Sequence, residues 1–472
     1  MVTIQHSTIH KKIAYGVEQA KSLSHSILVS TSTKVEHLHI DPVTFYERGK
    51  HRIGERIFWS APSGDFVMVG IGNAYSFESN DSNNFSQLES KWKEMLKASI
   101  VAPNERVLGV GPVILGSFSF DPKKEKTKLW GSFPTAKMML PQHLLTISND
   151  EYWLTVNVVV DENTNVDELA ELLLNEQRAL LEAATVPFIS LYGQDLKIVE
   201  VSKDKWLEAV ETVANQIKHG EIEKVVLARE IRVKSEWPFI PEEILNRLQK
   251  EQPSSYIFAI ESGEDCFIGA SPERLIKKEG DEAFTTCLAG SIARGKTAME
   301  DDKLGHELLH DEKNLHEHEV VVRAIKSAFE QGCEQVEIPE QPALYKFRDI
   351  QHLYTPVVGR VKDGISLLTL VEKLHPTPAL GGYPRAEALQ KIREIEQLDR
   401  GLYAGPIGWL DGNGSGEFAV GIRSGLLQGR EASLFAGCGI VGNSNPISEY
   451  KETQIKFKPM LSALGGSCNE LK

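Results

Sequence analysis

A lysine, Lys224, lies inside the apolar segment EKVVLARE, where a charged side chain is out of place. The β-branched residues of this segment predict a strand, and alternate residues of a strand share a face. Lys224 then lies on the same face as Val226 and Ala228. One interpretation is a solvent-facing lysine at the start of a strand. The other is a lysine in a pocket, where it can take a proton as a base. The strand pattern leaves both open.

A glutamate continues the apolar stripe of the segment DEKNLHEHEVVVRAIKSAF. Glu317 falls at helical spacing with Val321 and Ala324, and a buried glutamate is rare unless it is paired or binds a metal. The alternative is a boundary glutamate that reaches solvent. His316 and His318 form an HxH pair, but on a helix their side chains diverge by about 200°, which argues against a shared zinc ion.

Acidic and basic side chains also form a stripe on the final helix, ISEYKETQIKFKPMLSALGG. Glu449, Glu452 and Lys456 follow at i, i+3 and i+7, beside a core stripe that contains Tyr450 and Phe457. The pair Glu452–Lys456 is also an ordinary i,i+4 surface pair, which is the alternative interpretation. Glutamates on two separate helices that both face inward would suit an oxygen-ligated Mg²⁺ ion.

The composition is that of a globular protein without special redox or membrane features. The chain has 472 residues, 41% of them hydrophobic, and a formal net charge of −14. Such an acidic chain without a basic cluster argues against nucleic acid as a partner. Its five cysteines form no CxxC pair, which fits reduced thiols in a cytoplasm. The first residues lack the apolar segment and cleavage site typical of a signal peptide, so none is expected, and no apolar run reaches the roughly 20 residues that a membrane helix needs.

The elements that must position these residues are strands joined by short turns, with helices between them. Strand-like runs occupy 65–72, 106–120 and 152–160. Hairpins are predicted at 256–270, which turns at Ser262–Gly263, and at 401–427. Amphipathic spacing predicts helices over 167–184 and 203–219, and one long helix over about 300–331. This pattern favours an α+β fold with antiparallel sheets.

Over roughly residues 200–465 the chain resembles the chorismate-utilising enzymes. This family contains isochorismate synthases, salicylate synthases, anthranilate synthase large subunits and aminodeoxychorismate synthases. Ten segments occur in the order typical of the family: EKVVLARE, FIGASPERL, LAGSIARG, KNLHEHEVVV, HLYTPVVGRV, HPTPALGGYPR, DRGLYAGPIGW, GIRSGLL, FAGCGIVGNSNPISEYKET and IKF.

The resemblance implies a fold and a division of the chain. The fold is that of anthranilate synthase component I, with large antiparallel sheets packed face to face and helices outside them. We divide the chain into a strand-rich N-terminal subdomain, 1–195, and a chorismate-binding catalytic region, 196–472. We expect a monomeric cytoplasmic enzyme.

The resemblance also implies roles for individual residues. Lys224 matches the lysine that activates water, and Glu273 in SPERL matches the general acid. Glu317 and Glu452 match ligands of a Mg²⁺ cofactor, with Glu449 close by. The remaining matches are substrate-binding or pocket-lining positions: Arg423, Lys456, Tyr403, His352, Gly290, Ser291, Gly437 and Gly439.

Within the family, the resemblance implies addition of water to chorismate to form isochorismate, most like the enzymes of menaquinone biosynthesis. Aminodeoxychorismate synthases carry a lysine where this chain has Ala289, so amination and an amidotransferase subunit are not expected. A siderophore-pathway isochorismate synthase, a salicylate synthase and a catalytically silent chorismate-binding relative stay as alternatives.

Overall fold

The computed structural model describes residues 2–36, 40–81, 84–101, 107–182, 196–220, 222–347 and 350–466. Within these ranges the chain forms helices α1–α11, strands β1–β21 and three short 3-10 helices. The helices are α1 Val2–Leu23, α2 Pro42–Arg48, α3 Asn84–Lys97, α4 Val166–Leu181, α5 Lys203–His219, α6 Pro241–Glu251, α7 Ala298–His310, α8 Glu312–Gly332, α9 Leu367–Leu374, α10 Arg385–Ile395 and α11 Pro446–Ala463. The strands are β1 Ile27–Lys34, β2 Arg56–Ser60, β3 Phe66–Ser79, β4 Ile100–Val101, β5 Val113–Phe118, β6 Ala136–Ser148, β7 Glu151–Val160, β8 Lys197–Glu200, β9 Lys224–Lys234, β10 Tyr256–Ser262, β11 Asp265–Ser271, β12 Arg274–Glu279, β13 Glu282–Ala293, β14 Cys333–Glu337, β15 Ala343–Lys346, β16 Ile350–Val361, β17 Gly382–Tyr383, β18 Pro406–Asp411, β19 Gly416–Val420, β20 Ser424–Gln428 and β21 Glu431–Ile440.

The strands form two antiparallel arms that meet at the long strand β6. The first arm runs from β9 through β21, β20, β11, β10, β2 and β3 to one edge of β6. The second arm leaves the other edge of β6 through β5, β18, β19, β12 and β13 to β16, with which β14 and β15 also pair. Among the described residues, the short pair β1–β4 is the one parallel pairing. The prediction of an α+β fold built on large antiparallel sheets with helices around them is confirmed.

Apolar side chains from both arms share one core. Phe258 and Phe435 of the first arm belong to the same buried cluster as Phe418 and Val357 of the second arm. Burying an apolar side chain of this size stabilises the folded state by roughly 1.5–3 kcal/mol. The core therefore holds the two arms in a defined relation to each other.

Most predicted elements are confirmed, and one is wrong. The hairpins at 256–270 and 401–427 form as β10–β11 and β18–β19. The predicted long helix over 300–331 is instead two helices, α7 and α8. The chain breaks at Asp311, whose backbone is extended and whose side chain accepts a hydrogen bond from the Asn314 amide, 2.8 Å. An aspartate in this role starts a new helix, and the hydrophobic periodicity did not reveal it.

The division of the chain at 195/196 stays a prediction. The stretch 183–195, which precedes the boundary, lies outside the described residues. Strands from the two sides of the boundary are hydrogen-bonded, since β2 pairs with β10 and β5 pairs with β18.

Across the described part of the chain, we find no helix with the length and apolar character needed to span a membrane.

Candidate active site

A cavity of ≈ 220 Å³ lies between the two arms. Its walls come from β9 and β21 of the first arm, from β13 and β16 of the second arm, and from the helices α8 and α11. Every residue that sequence analysis assigned to the site lines this cavity: Lys224, Glu273, Gly290, Ser291, Glu317, His352, Tyr403, Arg423, Gly437, Gly439, Glu449, Glu452 and Lys456. The fold thus brings the whole set together, while the individual roles stay predictions.

Lys224 is buried, so the solvent-facing interpretation of this lysine is wrong. The residue is 2% exposed, and its Nζ donates a hydrogen bond to Glu317 Oε1 at 2.7 Å. The neighbouring strand β21 makes room for this contact. A Cβ atom added at Gly439 would lie 2.5 Å from Lys224 Cε and 3.0 Å from Glu317 Oε1. The lysine–glutamate pair therefore needs glycine at 439, because a larger residue would clash with both side chains.

Gly290 forms a bulge in the cavity floor. Its φ is +75°, and the pairing of β13 with β16 shifts register between Ala289 and Ser291. An extra residue with positive φ in one strand is the geometry of a bulge that favours glycine. The Ser291 amide then donates to Asn314 Oδ1 at 3.2 Å. The bulge consequently attaches the floor to the first turn of α8.

The acidic and basic side chains of α11 point into the cavity from the opposite side. Lys456 Nζ lies 2.7 Å from Glu452 Oε1 and donates to the Gly437 carbonyl at 2.9 Å. Burial, followed by repulsion from Glu452, raises the pKa of Glu449. Burial also acts to raise the pKa of Glu452, but attraction to Lys456 and Arg423 outweighs it and leaves that pKa lowered. Glu452 and Lys456 therefore form the predicted i,i+4 pair, but the pair lines the cavity and is not an ordinary surface pair.

Glu273 lies in the connection between β11 and β12, where the chain passes from the first arm to the second. The residue is 7% exposed, and burial raises the pKa of its carboxyl group to about 7, against the opposing influence of Lys224 and Lys456. A carboxylic acid with this pKa keeps a substantial protonated fraction at neutral pH and can donate a proton.

His352 is held as a neutral imidazole. Burial, followed by repulsion from Arg423 and Lys456, lowers the pKa of this histidine to about 3. The same ring interacts with the Gly290 backbone, next to the bulge. A neutral ring can accept a hydrogen bond from a hydroxyl group, whereas an imidazolium can only donate.

Arg423 occupies the left-handed region of the backbone, with φ +51°, between β19 and β20. A non-glycine residue in this conformation is strained, and such strain often occurs at functional sites. The Ala270 amide, which donates to the Arg423 carbonyl at 3.1 Å, helps to hold the conformation. Tyr403 stacks on Phe435 nearby, with ring centroids 5.4 Å apart.

Sequence reasoning missed three polar residues of the cavity: Lys313, Asn314 and Arg400. Lys313 Nζ lies 3.9 Å from Glu449 Oε1, and Asn314 binds the Ser291 amide as described. Arg400 is buried against the Glu396 carboxylate at 2.7 Å. Asp311 was the available signal for the first two, because a helix that begins there places its first turn at the cavity.

Cys438 lines the cavity as a buried thiol. Burial, followed by repulsion from Glu452 and Glu449, raises the pKa of this thiol far above its ordinary value. Thiolates, not thiols, are the reactive form of cysteine.

The donor set fits a magnesium ion. Carboxylates of Glu317, Glu449 and Glu452 border one cavity. Burial, and after it the negative charge of Glu452, raises the pKa of Glu449. A cation between these two carboxylates would relieve their repulsion. Within the described ranges, no three His, Cys, Asp or Glu side chains already converge on one metal-binding point. This is compatible with Mg²⁺, which usually takes one or two protein carboxylates and completes its shell with water and substrate oxygens.

Comparison with known proteins shows the family of the chain. Residues 15–465 match the family model described as chorismate binding enzyme. The isochorismate synthase MenF of Bacillus subtilis is 44% identical over 474 residues, which cover 99% of this chain and 99% of that protein. The salicylate biosynthesis isochorismate synthase of Pseudomonas aeruginosa is 35% identical over 458 residues, which cover 96% of this chain and 94% of that protein.

Solved structures show the same fold. The menaquinone-specific isochorismate synthase of Escherichia coli matches with a TM-score of 0.78 at 23% identity, covering 96% of this chain and 100% of that chain. Anthranilate synthase component I of Streptococcus pneumoniae matches with a TM-score of 0.69 at 23% identity, covering 84% and 92%. At these identities the likeness establishes the fold.

Proposed function

Because the chain belongs to the family of chorismate-binding enzymes, we propose that it is an isochorismate synthase. The reaction adds water at ring carbon 2 of chorismate, shifts the ring double bonds and releases the hydroxyl group from ring carbon 4. One observation carries the proposal: a buried lysine and a buried glutamic acid with a pKa of about 7 line the same cavity.

Lys224 and Glu273 divide the proton transfers between them. Lys224 acts as the base and takes a proton from water as the water oxygen bonds to ring carbon 2. Protonated Glu273 gives its proton to the hydroxyl group as the bond from ring carbon 4 breaks. The raised pKa of Glu273 supports this direction, because an ordinary glutamate would hold no proton to give at neutral pH.

Cationic side chains of the cavity suit the substrate, which carries two carboxylates. We assign the binding of these carboxylates to Arg423 and Lys456, which line the cavity from β20's start and from α11. A chain with a net charge of −14 repels anions at long range, so these local cations are needed for binding.

We assign Glu317 and Glu452, with Glu449 close by, to the binding of Mg²⁺. When bound, Mg²⁺ would hold a substrate carboxylate and stabilise the negative charge that develops as the double bonds shift.

Ala289 supports water, not an amine, as the nucleophile. It lines the cavity floor, at the position where the resemblance implies a lysine in aminodeoxychorismate synthases. We therefore infer that the enzyme needs no amidotransferase subunit. The full-length similarity to MenF of Bacillus subtilis supports a role in menaquinone biosynthesis.

The test is product analysis by chromatography. We expect the purified protein to convert chorismate to isochorismate with Mg²⁺ and not with EDTA. Lys224→Ala and Glu273→Gln should each lower kcat by about 10²–10⁴-fold. Lys451→Ala, which changes an exposed lysine of α11, serves as the matched control. Salicylate and pyruvate as the main products would identify a salicylate synthase, and binding without turnover would identify a silent relative.

A further inference from the structure

His318 belongs to the HxH pair of α8 but faces away from the cavity. The residue is 3% exposed and does not line the cavity wall, although its neighbour Glu317 does. Successive residues of a helix point about 100° apart, so the two side chains leave α8 in different directions. His318 thus packs into the sheet behind the cavity floor.

The His318 ring is bonded at both nitrogens, to two adjacent strands. Nδ1 lies 3.0 Å from the carbonyl oxygen of Ala289 on β13, and Nε2 lies 2.8 Å from Thr355 Oγ1 on β16. A carbonyl oxygen only accepts, so Nδ1 carries the proton. In a neutral ring Nε2 then accepts from the Thr355 hydroxyl. The Cys287 thiol is a third neighbour, 3.6 Å from Nδ1. The two shorter hydrogen bonds, to Ala289 and Thr355, fix the orientation of the ring.

We infer that His318 is a positioning residue: held between Ala289 and Thr355, it sets the rotation of α8 and so places the Glu317 carboxylate against Lys224. The inference rests on the proposed function. Each partner of His318 is itself fixed by the pairing of β13 with β16, in which Cys287 faces Thr355 and Ala289 faces Leu353. The two hydrogen bonds of the ring therefore fix the position of α8 relative to β13 and β16.

The consequence for the site follows from the pair that Glu317 makes. Its Oε1 atom accepts the 2.7 Å hydrogen bond from Lys224, and the same carboxylate borders the proposed magnesium site. Rotation of α8 by a few degrees displaces this carboxylate, because it lies at the end of the side chain, far from the helix axis. Groups that orient a metal ligand from behind typically alter metal affinity or activity by about 10–100-fold when they are removed.

Thr355 offers the sharpest test, because it touches neither the cavity nor Glu317. Thr355→Val keeps the shape of the side chain and removes the donor to His318. At saturating Mg²⁺ we expect kcat to fall by about tenfold while KM for chorismate changes by less than about twofold. The substrate-binding cations Arg423 and Lys456 lie on other elements, so ground-state binding should persist. Thr355→Ser restores the hydroxyl group and should restore kcat.

A matched control separates positioning from stability. Thr146→Val removes another buried threonine hydroxyl, which donates to the Gly109 carbonyl at 2.8 Å. Thr146 lies on β6 and does not line the cavity. We expect both valine variants to lower the melting temperature and only Thr355→Val to lower kcat. His318→Asn is a second test of the contact with Thr355. The asparagine side chain can keep a donor at the position of Nδ1 but has no acceptor at the position of Nε2. Thr355→Val should add nothing to its effect on kcat.

Binding of Mn²⁺, followed by its electron paramagnetic resonance signal, gives a readout that does not need turnover. We expect about tenfold weaker binding in Thr355→Val and wild-type binding in Thr146→Val. Equal kcat and equal Mn²⁺ affinity in the two valine variants would overturn the inference. A wild-type protein that does not turn over chorismate overturns the proposed function, and the Mn²⁺ comparison still decides the role of His318. A wild-type protein that also binds no Mn²⁺ overturns both.

Discussion

Lys224 Nζ and Glu317 Oε1 are joined by a hydrogen bond of 2.7 Å that links the first residue of β9 to the second turn of α8. The bond crosses between two elements that are 93 residues apart in the chain. It pairs the proposed base with a proposed magnesium ligand, so the two functions are coupled through one contact.

Gly439→Ala should disrupt this pair. The added Cβ would lie 2.5 Å from Lys224 Cε, closer than carbon atoms approach, so the lysine must move. We expect kcat to fall by about 10²-fold, because misplacing a reacting group by about 1 Å has an effect of this size. Gly442→Ala is the control. Its added Cβ would lie 3.2 Å from Cγ of the flexible Lys218 side chain, and its next neighbours, Lys218 N at 3.7 Å and Ile217 Cγ2 at 3.8 Å, are at ordinary van der Waals distances. Equal kcat values in the two variants would contradict the steric argument.

The pH dependence of kcat/KM should report Glu273, because this parameter reflects the ionisation of the free enzyme. Its pKa of about 7 means that the protonated acid is lost as the pH rises through neutrality. We expect the acid-dependent limb of kcat/KM to fall above pH 7, towards tenfold per pH unit. Kinetics from pH 5.5 to 9 at saturating Mg²⁺ test this. A kcat/KM that is constant from pH 7 to 9 would contradict the assignment of Glu273 as the acid.

The stability of the fold should also depend on the protonation of Glu273. The pKa is raised from 4.5 in the unfolded chain to about 7 in the folded protein. Below pH 4.5 both states hold the proton, and between these values only the folded state does. The contribution of Glu273 to the free energy of unfolding is therefore fully present below about pH 4.5 and is lost as the pH rises through 7. The shift corresponds to about 3 kcal/mol at most.

Glu273→Gln removes this titration. Between pH 5 and pH 8, the free energy of unfolding should fall less in Glu273→Gln than in the wild type, as urea denaturation would show. Glu279→Gln, which changes an exposed glutamate of β12, should behave like the wild type. Parallel pH profiles for all three proteins would speak against a buried protonated acid.

Magnesium should raise the melting temperature of the wild-type protein. An ion that binds the folded state alone stabilises it in proportion to the logarithm of its concentration above the dissociation constant. We expect the shift to disappear in Glu452→Gln and to persist in Glu319→Gln, an exposed residue of α8. Differential scanning fluorimetry with a Mg²⁺ series checks this. An equal shift in both variants would place the ion elsewhere.

Much of the site could be predicted from local patterns. Alternation along β9 placed Lys224 with Val226 on one face, and helical spacing placed Glu317 on the apolar stripe of α8 and Glu452 beside that of α11. These are properties of short segments, because strand and helix periodicity depend on neighbours within a few residues. The order of ten motifs added the family and the assignment of roles.

The tertiary structure decided what depends on distant partners. Whether Lys224 is exposed could not be read from its own strand, because Gly439 of β21 and Glu317 of α8, which is 93 residues away, contact it. The helix start at Asp311 and the bulge at Gly290 are connected by a hydrogen bond, because the Ser291 amide donates to the Asn314 side chain. The pKa of Glu273 likewise depends on burial by both arms. The sequence by itself determined which residues could do the chemistry, and long-range packing decided their burial, their charge state and their contacts.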